Sequence, residues 1–235
     1  DYLLRLNFDC NAIFQPWDVV DNDYFMNDDF VNTYNLNPYF LCVSRFIPKK
    51  NLFGLIEAYS NYQKGGGNWS LNIIGSGQLD IEIRKRSNLI YDNSKINIYP
   101  FQQLSELRRS YSNANAFILP SINDQWGLVV NEAIASGLPC IVSSRCGSNA
   151  DLIVDEVTGF IFDPENLNKL SELMHRLEKQ KPTDRIRMID AARNKLKSFN
   201  LFAFSNGLES ACNYAISSPC FSRKATIIAC LLSRC

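Results

Sequence analysis

From Tyr39 onward, short apolar runs alternate with longer amphipathic stretches. Apolar runs of this length suit strands buried on both faces, and apolar positions three and four apart suit helices that cover them. The pattern predicts strands near 39–44, 70–74, 95–99, 116–119, 139–143 and 159–162. It predicts helices near 51–62, 78–88, 103–112, 127–136, 166–179, 183–197 and 200–217. Strands and helices in alternation imply an α/β fold, a Rossmann-like parallel sheet flanked by helices. Gly65-Gly66-Gly67 marks a surface turn ahead of the second strand.

Residues 1–38 stand outside that alternation. They carry Pro16, Pro38 and an acidic, Asn-rich run from Asp18 to Asn37. Composition narrows the picture further. With 46% hydrophobic and 12% aromatic residues, the chain can bury a sizeable core. Its 24 acids balance 24 bases, so no global field draws it to nucleic acid. Local basic clusters at Arg84-Lys85-Arg86 and between Lys179 and Lys197 are either solvated helix faces or a membrane or acceptor surface. None of the eight cysteines forms Cys-x-x-Cys. Cys42 and Cys140 fall in apolar strand runs and read as core thiols. The only histidine, His175, reads as a mid-helix residue without a cysteine partner at zinc-site spacing, so neither a metal site nor a catalytic thiol at Cys140 or Cys146 is expected. No apolar run approaches the ~20 residues that cross a bilayer, and the tail Ala225–Leu232 is far too short. A reduced, cytoplasmic setting is expected, with peripheral membrane contact left open.

The chemistry concentrates in Pro120-Ser121-Ile122-Asn123-Asp124-Gln125-Trp126-Gly127-Leu128-Val129-Val130-Asn131-Glu132-Ala133. Two carboxylates, Asp124 and Glu132, stand with seven residues between them across a loop that enters a helix. The preceding strand Phe117-Ile118-Leu119, the glycine loop and the helix start together offer N–H groups and a positive dipole end to an anion. A ligand with a central diphosphate and hydroxyl-rich ends matches this layout. A nucleotide-sugar is such a ligand.

These residues resemble the donor-site signature of the family 4 retaining glycosyltransferases of the GT-B fold, with Glu132-Ala133-Ile134-Ala135-Ser136-Gly137-Leu138-Pro139 matching well and Asp124 standing where the family has Glu. Phe40–Asn51 resembles the strand and loop whose Arg and Lys hold the donor diphosphate, here Arg45 and Lys50. Leu71–Gly77, Tyr111–Ala116, Gly147–Asp151 and Thr158–Ile161 agree in the family's order, over roughly residues 16–217. The resemblance implies the C-terminal half of a GT-B glycosyltransferase. Residues 1–38 would be the end of an N-terminal domain and an interdomain linker, 39–200 the nucleotide-sugar-binding domain, and 201–235 helices that pack back on the N-terminal domain. It implies a fragment, opening on Asp1, that binds donor weakly and transfers little without the acceptor-binding half.

The roles follow from the same resemblance. Arg45 and Lys50 would grip the diphosphate, with Arg able to fork across two oxygens and Lys acting as a point charge. The N–H groups of Trp126, Gly127 and Leu128 would add to them, in the place a divalent cation takes in other transferases, so no metal or other cofactor is expected. Glu132 would hold the ribose hydroxyls and Asp124 the transferred sugar, while Gly75 and Gly77 would form a tight turn near the nucleotide. The acceptor would be a sugar, lipid or small molecule. Two rivals remain. One is a nucleotide-sugar-binding module with a degenerate site. The other is a nicotinamide-dependent oxidoreductase, which Gly75-Ser76-Gly77 supports poorly, because Asp80 takes the place of the third small residue.

Overall fold

A computed structural model of the chain describes residues 2–26, 37–90 and 92–217. Half of the Asn-rich run, residues 27–36, and the apolar tail Ala225–Leu232 lie outside the described residues. The chain forms two compact units, one of Asp18–Leu201 and one that joins the residues up to Trp17 with those from Phe202.

The larger unit holds six strands: β1 (Tyr39–Val43), β2 (Ser70–Ile74), β3 (Ile96–Tyr99), β4 (Ala116–Leu119), β5 (Cys140–Ser143) and β6 (Phe160–Phe162). The helices in chain order are α1 (Tyr2–Arg5), α2 (Asn22–Phe25), α3 (Leu52–Lys64), α4 (Asp80–Ser87), α5 (Leu104–Ser112), α6 (Leu128–Ala135), α7 (Asn149–Leu152), α8 (Leu167–Glu178), α9 (Pro182–Leu196) and α10 (Leu201–Ser217). The sheet is parallel throughout, in the order β3-β2-β1-β4-β5-β6. Every predicted strand is present within a residue or two of its expected bounds.

Alternation along each strand sorts its side chains between two cores. Phe40 and Cys42 of β1, Ile118 of β4 and Ile141 of β5 join α3 and α8 on one face. Leu41, Phe117, Leu119 and Val142 join α6 and α9 on the other. In α8 the buried residues Leu170, Leu173, Met174 and Leu177 recur at helical spacing, and the Asn166 side chain caps the start by accepting from the Lys169 N–H. Toward the β3 edge the second face turns polar. Asn72 and Asn97, opposite each other in register, share a side-chain hydrogen bond of 2.9 Å.

The larger unit begins at Asp18, inside the stretch expected to be a linker. Asp21 caps α2 by accepting from the Tyr24 N–H, Asn22 donates to the Phe199 carbonyl at 2.9 Å, and the buried Phe25 ring meets Tyr111 edge-on. In the smaller unit, α10 lies along the first residues of the chain, with Phe14 against Tyr214 and Trp17 against Phe204. Gly207 lets the backbones close there: a Cβ at that position would sit 2.7 Å from the Gln15 carbonyl oxygen. Among the described residues no helix is long and apolar enough to cross a membrane.

Candidate functional site

The strand order reverses between β1 and β4, so the crossovers on either side run in opposite directions and leave a crevice at the carboxyl ends of these two strands. Both charged ends of the predicted site fall there. Lys50 closes a short turn, Pro48–Lys50, that follows β1. Asp124 lies in the loop after β4. The Ile122 N–H donates to the Lys49 carbonyl at 2.8 Å, tying the two loops together. The Lys50 ammonium donates to the Asp124 carboxylate, and the two side chains are each only 11% exposed. Ser121 Oγ lies 3.3 Å from the same carboxylate oxygen. The Asp124 backbone is held from the third side, donating to the Arg145 carbonyl and accepting from the Gly147 N–H.

A cleft of about 480 Å³ opens over this pair. It brings together Arg45, Lys50, Gly75, Asp124, Trp126, Gly127, Leu128 and Glu132, eight of the nine predicted site residues. Gly77 is the one left out: it packs under the turn, where a Cβ would lie 2.5 Å from the Phe46 carbonyl oxygen. Gly75 forms the wall of the cleft beside β1. A Cβ there would stand 1.8 Å from the Ser44 carbonyl oxygen, so only glycine fits. Arg45 is exposed, and its guanidinium has no hydrogen-bond or ion-pair partner among the described residues.

Gly127, at φ +91°, starts α6 in a left-handed conformation that favours glycine. The Val130 N–H donates to the Gly127 carbonyl at 2.8 Å, while Leu128 and Val129, whose N–H groups precede the first intrahelical bond, line the cleft at the positive end of the helix dipole. The Trp126 side chain is turned away to structural use. Its Nε1–H donates to Asn131 at 2.9 Å and its ring packs on Phe199, while Asn131 donates to the Asp18 carbonyl.

Glu132 lies just past the first turn of α6. Its Oε2 accepts from the Tyr111 hydroxyl at 2.7 Å, and Tyr111 is fully buried between Phe25 and Phe117. Burial raises the Glu132 carboxyl above the ordinary range, and the hydrogen bond from Tyr111 opposes that rise. Beside the ion pair, the buried Cys146 thiol is pushed up to about 12, first by burial and then by Asp124, with Lys50 opposing. Cys42 is pushed up to about 12 by burial and Cys140 is raised by the same cause, which leaves both as core thiols. His175 sits in α8 against the Tyr62 ring, remote in sequence and structure from these residues. Among the described residues, no three His, Cys, Asp or Glu side chains are grouped to hold a metal ion.

Tyr111, Ser121 and Asn131 were not predicted as site residues. Leu104, Leu107 and Tyr111 repeat at helical spacing, a signal that Tyr111 faces inward. Nothing local shows that its hydroxyl meets Glu132.

The family model described as glycosyl transferases group 1 matches residues 27–195, well over half of the sequence. The chain belongs to that family. The amylovoran biosynthesis glycosyltransferase AmsK of Erwinia amylovora is 30% identical over 167 residues, 67% of this chain and 40% of AmsK. The chain spans 40% or less of the length of these curated relatives, down to 16% of the sulfoquinovosyl transferase of Arabidopsis thaliana. Among solved structures, the C-terminal domain of a glycosyl transferase group 1 protein from Francisella tularensis superposes with a TM-score of 0.67 at 18% identity, over 77% of this chain and 99% of that domain. Anabaena HepE, solved in complex with UDP, superposes with a TM-score of 0.70 at 15% identity, over 83% and 56% of the two chains. The fold of this group 1 chain is therefore that of a GT-B C-terminal domain.

Proposed function

We propose that this chain supplies the donor-binding half of a retaining glycosyltransferase, holding a nucleoside-diphosphate sugar in the cleft at the β1–β4 switch point. The observation that carries the reading is the gathering of two cations, a helix N-terminus and two carboxylates at one strand-end crevice. Transfer breaks the bond between the anomeric carbon and a phosphate oxygen. Negative charge grows on the departing diphosphate, where Arg45, Lys50 and the α6 amides stabilise it as fixed, preorganised donors. Positive charge grows on the sugar, beside Asp124. The Lys50 ammonium, already held by Asp124, is shared with the phosphate as the bond breaks. Glu132 takes the ribose through its free oxygen. These positive groups serve in place of a divalent cation, and EDTA is expected to leave donor binding unchanged. The UDP held by HepE supports a nucleoside diphosphate as the class of ligand. The acceptor is a glycan, lipid or small molecule bound chiefly by the part of the protein outside this chain, and the chain alone transfers little.

Calorimetric titration with UDP, GDP and ADP, and with their common sugar conjugates, tests this. One nucleotide is expected to bind, and Glu132→Ala is expected to lose it. Binding that survives Glu132→Ala overturns the ribose role.

A further inference from the structure

Tyr111 is wholly buried, and its hydroxyl points at the Glu132 carboxylate of the cleft. Tyr111 comes from α5, whose Ser110 carbonyl accepts from the Tyr39 hydroxyl of β1, and reaches across 21 positions of sequence to Glu132. Its hydroxyl sits between two acceptors, the Glu132 carboxylate at 2.7 Å and the Val129 carbonyl at 3.4 Å. The closer contact is to the charged group, and hydrogen bonds to ionised acceptors are the stronger kind. The ring around that hydroxyl is fixed by Phe25 and Phe117 at centroid distances of 5.8 Å each. Glu132 Oε1, by contrast, has no protein partner among the described residues, and Glu132 lines the cleft.

We propose that Tyr111 is a positioning residue for the donor nucleotide: its rigidly held hydroxyl grips one oxygen of Glu132, aims the other into the cleft, and donates preferentially to the charged carboxylate in a half-buried site. The inference rests on the ribose role proposed above for Glu132. A glutamate on a helix face has three side-chain torsions, and freezing them costs conformational entropy that a ligand would otherwise have to supply. Anchoring one oxygen in advance removes that cost. Burial alone drives Glu132 toward its neutral form, which accepts hydrogen bonds poorly. The Tyr111 hydrogen bond favours the charged form.

The sign of the resulting pH dependence is definite. Ribose hydroxyls bind the ionised carboxylate, so affinity is present above the Glu132 pKa and is lost as pH falls through it. Removing the hydroxyl takes away a contribution that lowers that pKa, so the acid limb of binding moves to higher pH. Several other groups could shape the same limb: Asp18 ahead of α2, Arg45 and Lys50 after β1, and Asp124 after β4, all of which line the cleft. Cys140 of β5 shares the core that holds Tyr111, and Cys42 of β1 lies across the sheet on the opposite face. A double-mutant cycle separates the Tyr111–Glu132 pair from all of these, and from titration of the nucleotide's own phosphate.

The experiment is calorimetric titration of UDP, GDP and ADP from pH 5 to 8 into the whole chain and into Tyr111→Phe, Glu132→Gln and the double variant. Tyr111→Phe keeps the ring and its aromatic contacts, and circular dichroism checks the fold. Tyr111→Phe is expected to bind roughly tenfold more weakly at low pH, with its acid limb displaced upward. The double variant is expected to match Glu132→Gln alone. An unchanged limb, or equal weakening at every pH, overturns the proposal in favour of a packing role. Additive losses in the double variant overturn it too. If the wild-type chain binds none of the three nucleotides, the donor-site reading itself fails and takes this inference with it. Wild-type binding with no Tyr111 effect fails the inference alone.

Discussion

The two ends of the sheet each carry a cation sheltered from solvent, and they hold it in opposite ways. At the amino ends of the strands, Arg185 of α9 donates to the backbone carbonyls of Asn115 and Leu177, at 2.7 Å each, and lies over the Trp69 ring. No carboxylate pairs with it among the described residues, and burial pulls its pKa down to about 10. At the carboxyl ends, Lys50 is held by a carboxylate instead. Carbonyls of the chain are neutral and cannot be exchanged, so Arg185 locks α9 and the end of α8 to the entry of β4. A carboxylate is an anion, and a phosphate can share or replace it. The first arrangement builds the fold, whereas the second leaves the cation available to a ligand.

Substituting each cation by methionine is the most direct way to break that contrast. Lys50→Met is expected to weaken nucleoside diphosphate binding by about 100-fold, the scale on which a single preorganised donor to a phosphate or oxyanion acts. Calorimetry checks it, and a loss under threefold would place Lys50 among the structural cations. Arg185→Met is expected to leave nucleotide affinity within about twofold of wild type. It removes the guanidinium hydrogen bonds to two backbone carbonyls and the contact with the Trp69 ring, which costs about 2 kcal/mol in stability, readable by urea unfolding. Loss of binding in that variant without loss of stability would make the amino end of the sheet part of the site.

Gly75→Ala sharpens the same division, because it strikes the wall of the cleft and not its charges. The new Cβ would fall 1.8 Å from the Ser44 carbonyl oxygen, so the turn after β2 must move away from the loop after β1. A stability loss on the order of 2 kcal/mol is expected, with a smaller loss of affinity than in Lys50→Met, since Arg45 and Lys50 remain. An affinity loss exceeding that of Lys50→Met would shift the weight of ligand binding from charge to the shape of this turn.

How much of this was legible in the sequence depended on the range of the interaction. The strands were, because Tyr39–Val43 and Ala116–Leu119 are buried on both faces and leave unbroken apolar runs. The crevice was as well, since a parallel sheet puts the residues after β1 and β4 at one end. The cap at Asp21 was legible too, since it needs only three residues of sequence. Pairings across the fold were not legible. Lys50 and Asp124 stand 74 positions apart, and Glu132 and Tyr111 belong to different helices whose approach is fixed only by core packing around Phe117. Gly77 differs from its neighbour in the motif. It shares a motif with Gly75, but its lack of a side chain serves the close approach to Phe46, behind the cleft.

Asp124 gives the finest test of what sets the two ends apart. In the resting chain its carboxylate satisfies Lys50, so its effect on a nucleoside diphosphate is to compete for the cation, and its effect on a bound sugar is to favour positive charge at the anomeric carbon. These act in opposite directions. Asp124→Asn keeps the shape and removes the charge, which frees the Lys50 ammonium for phosphate. Binding of the nucleoside diphosphate is therefore expected to stay within about threefold of wild type or to tighten, the balance of one released ion pair against one lost hydrogen-bonded partner. Transfer by the protein that also contains the acceptor-binding half is expected to fall far more. Calorimetry on the chain and turnover on the longer protein together read the two effects. If both fall in parallel, Asp124 does no more than hold Lys50 in place, and the carboxyl end of the sheet differs from the Arg185 end only in being open to solvent.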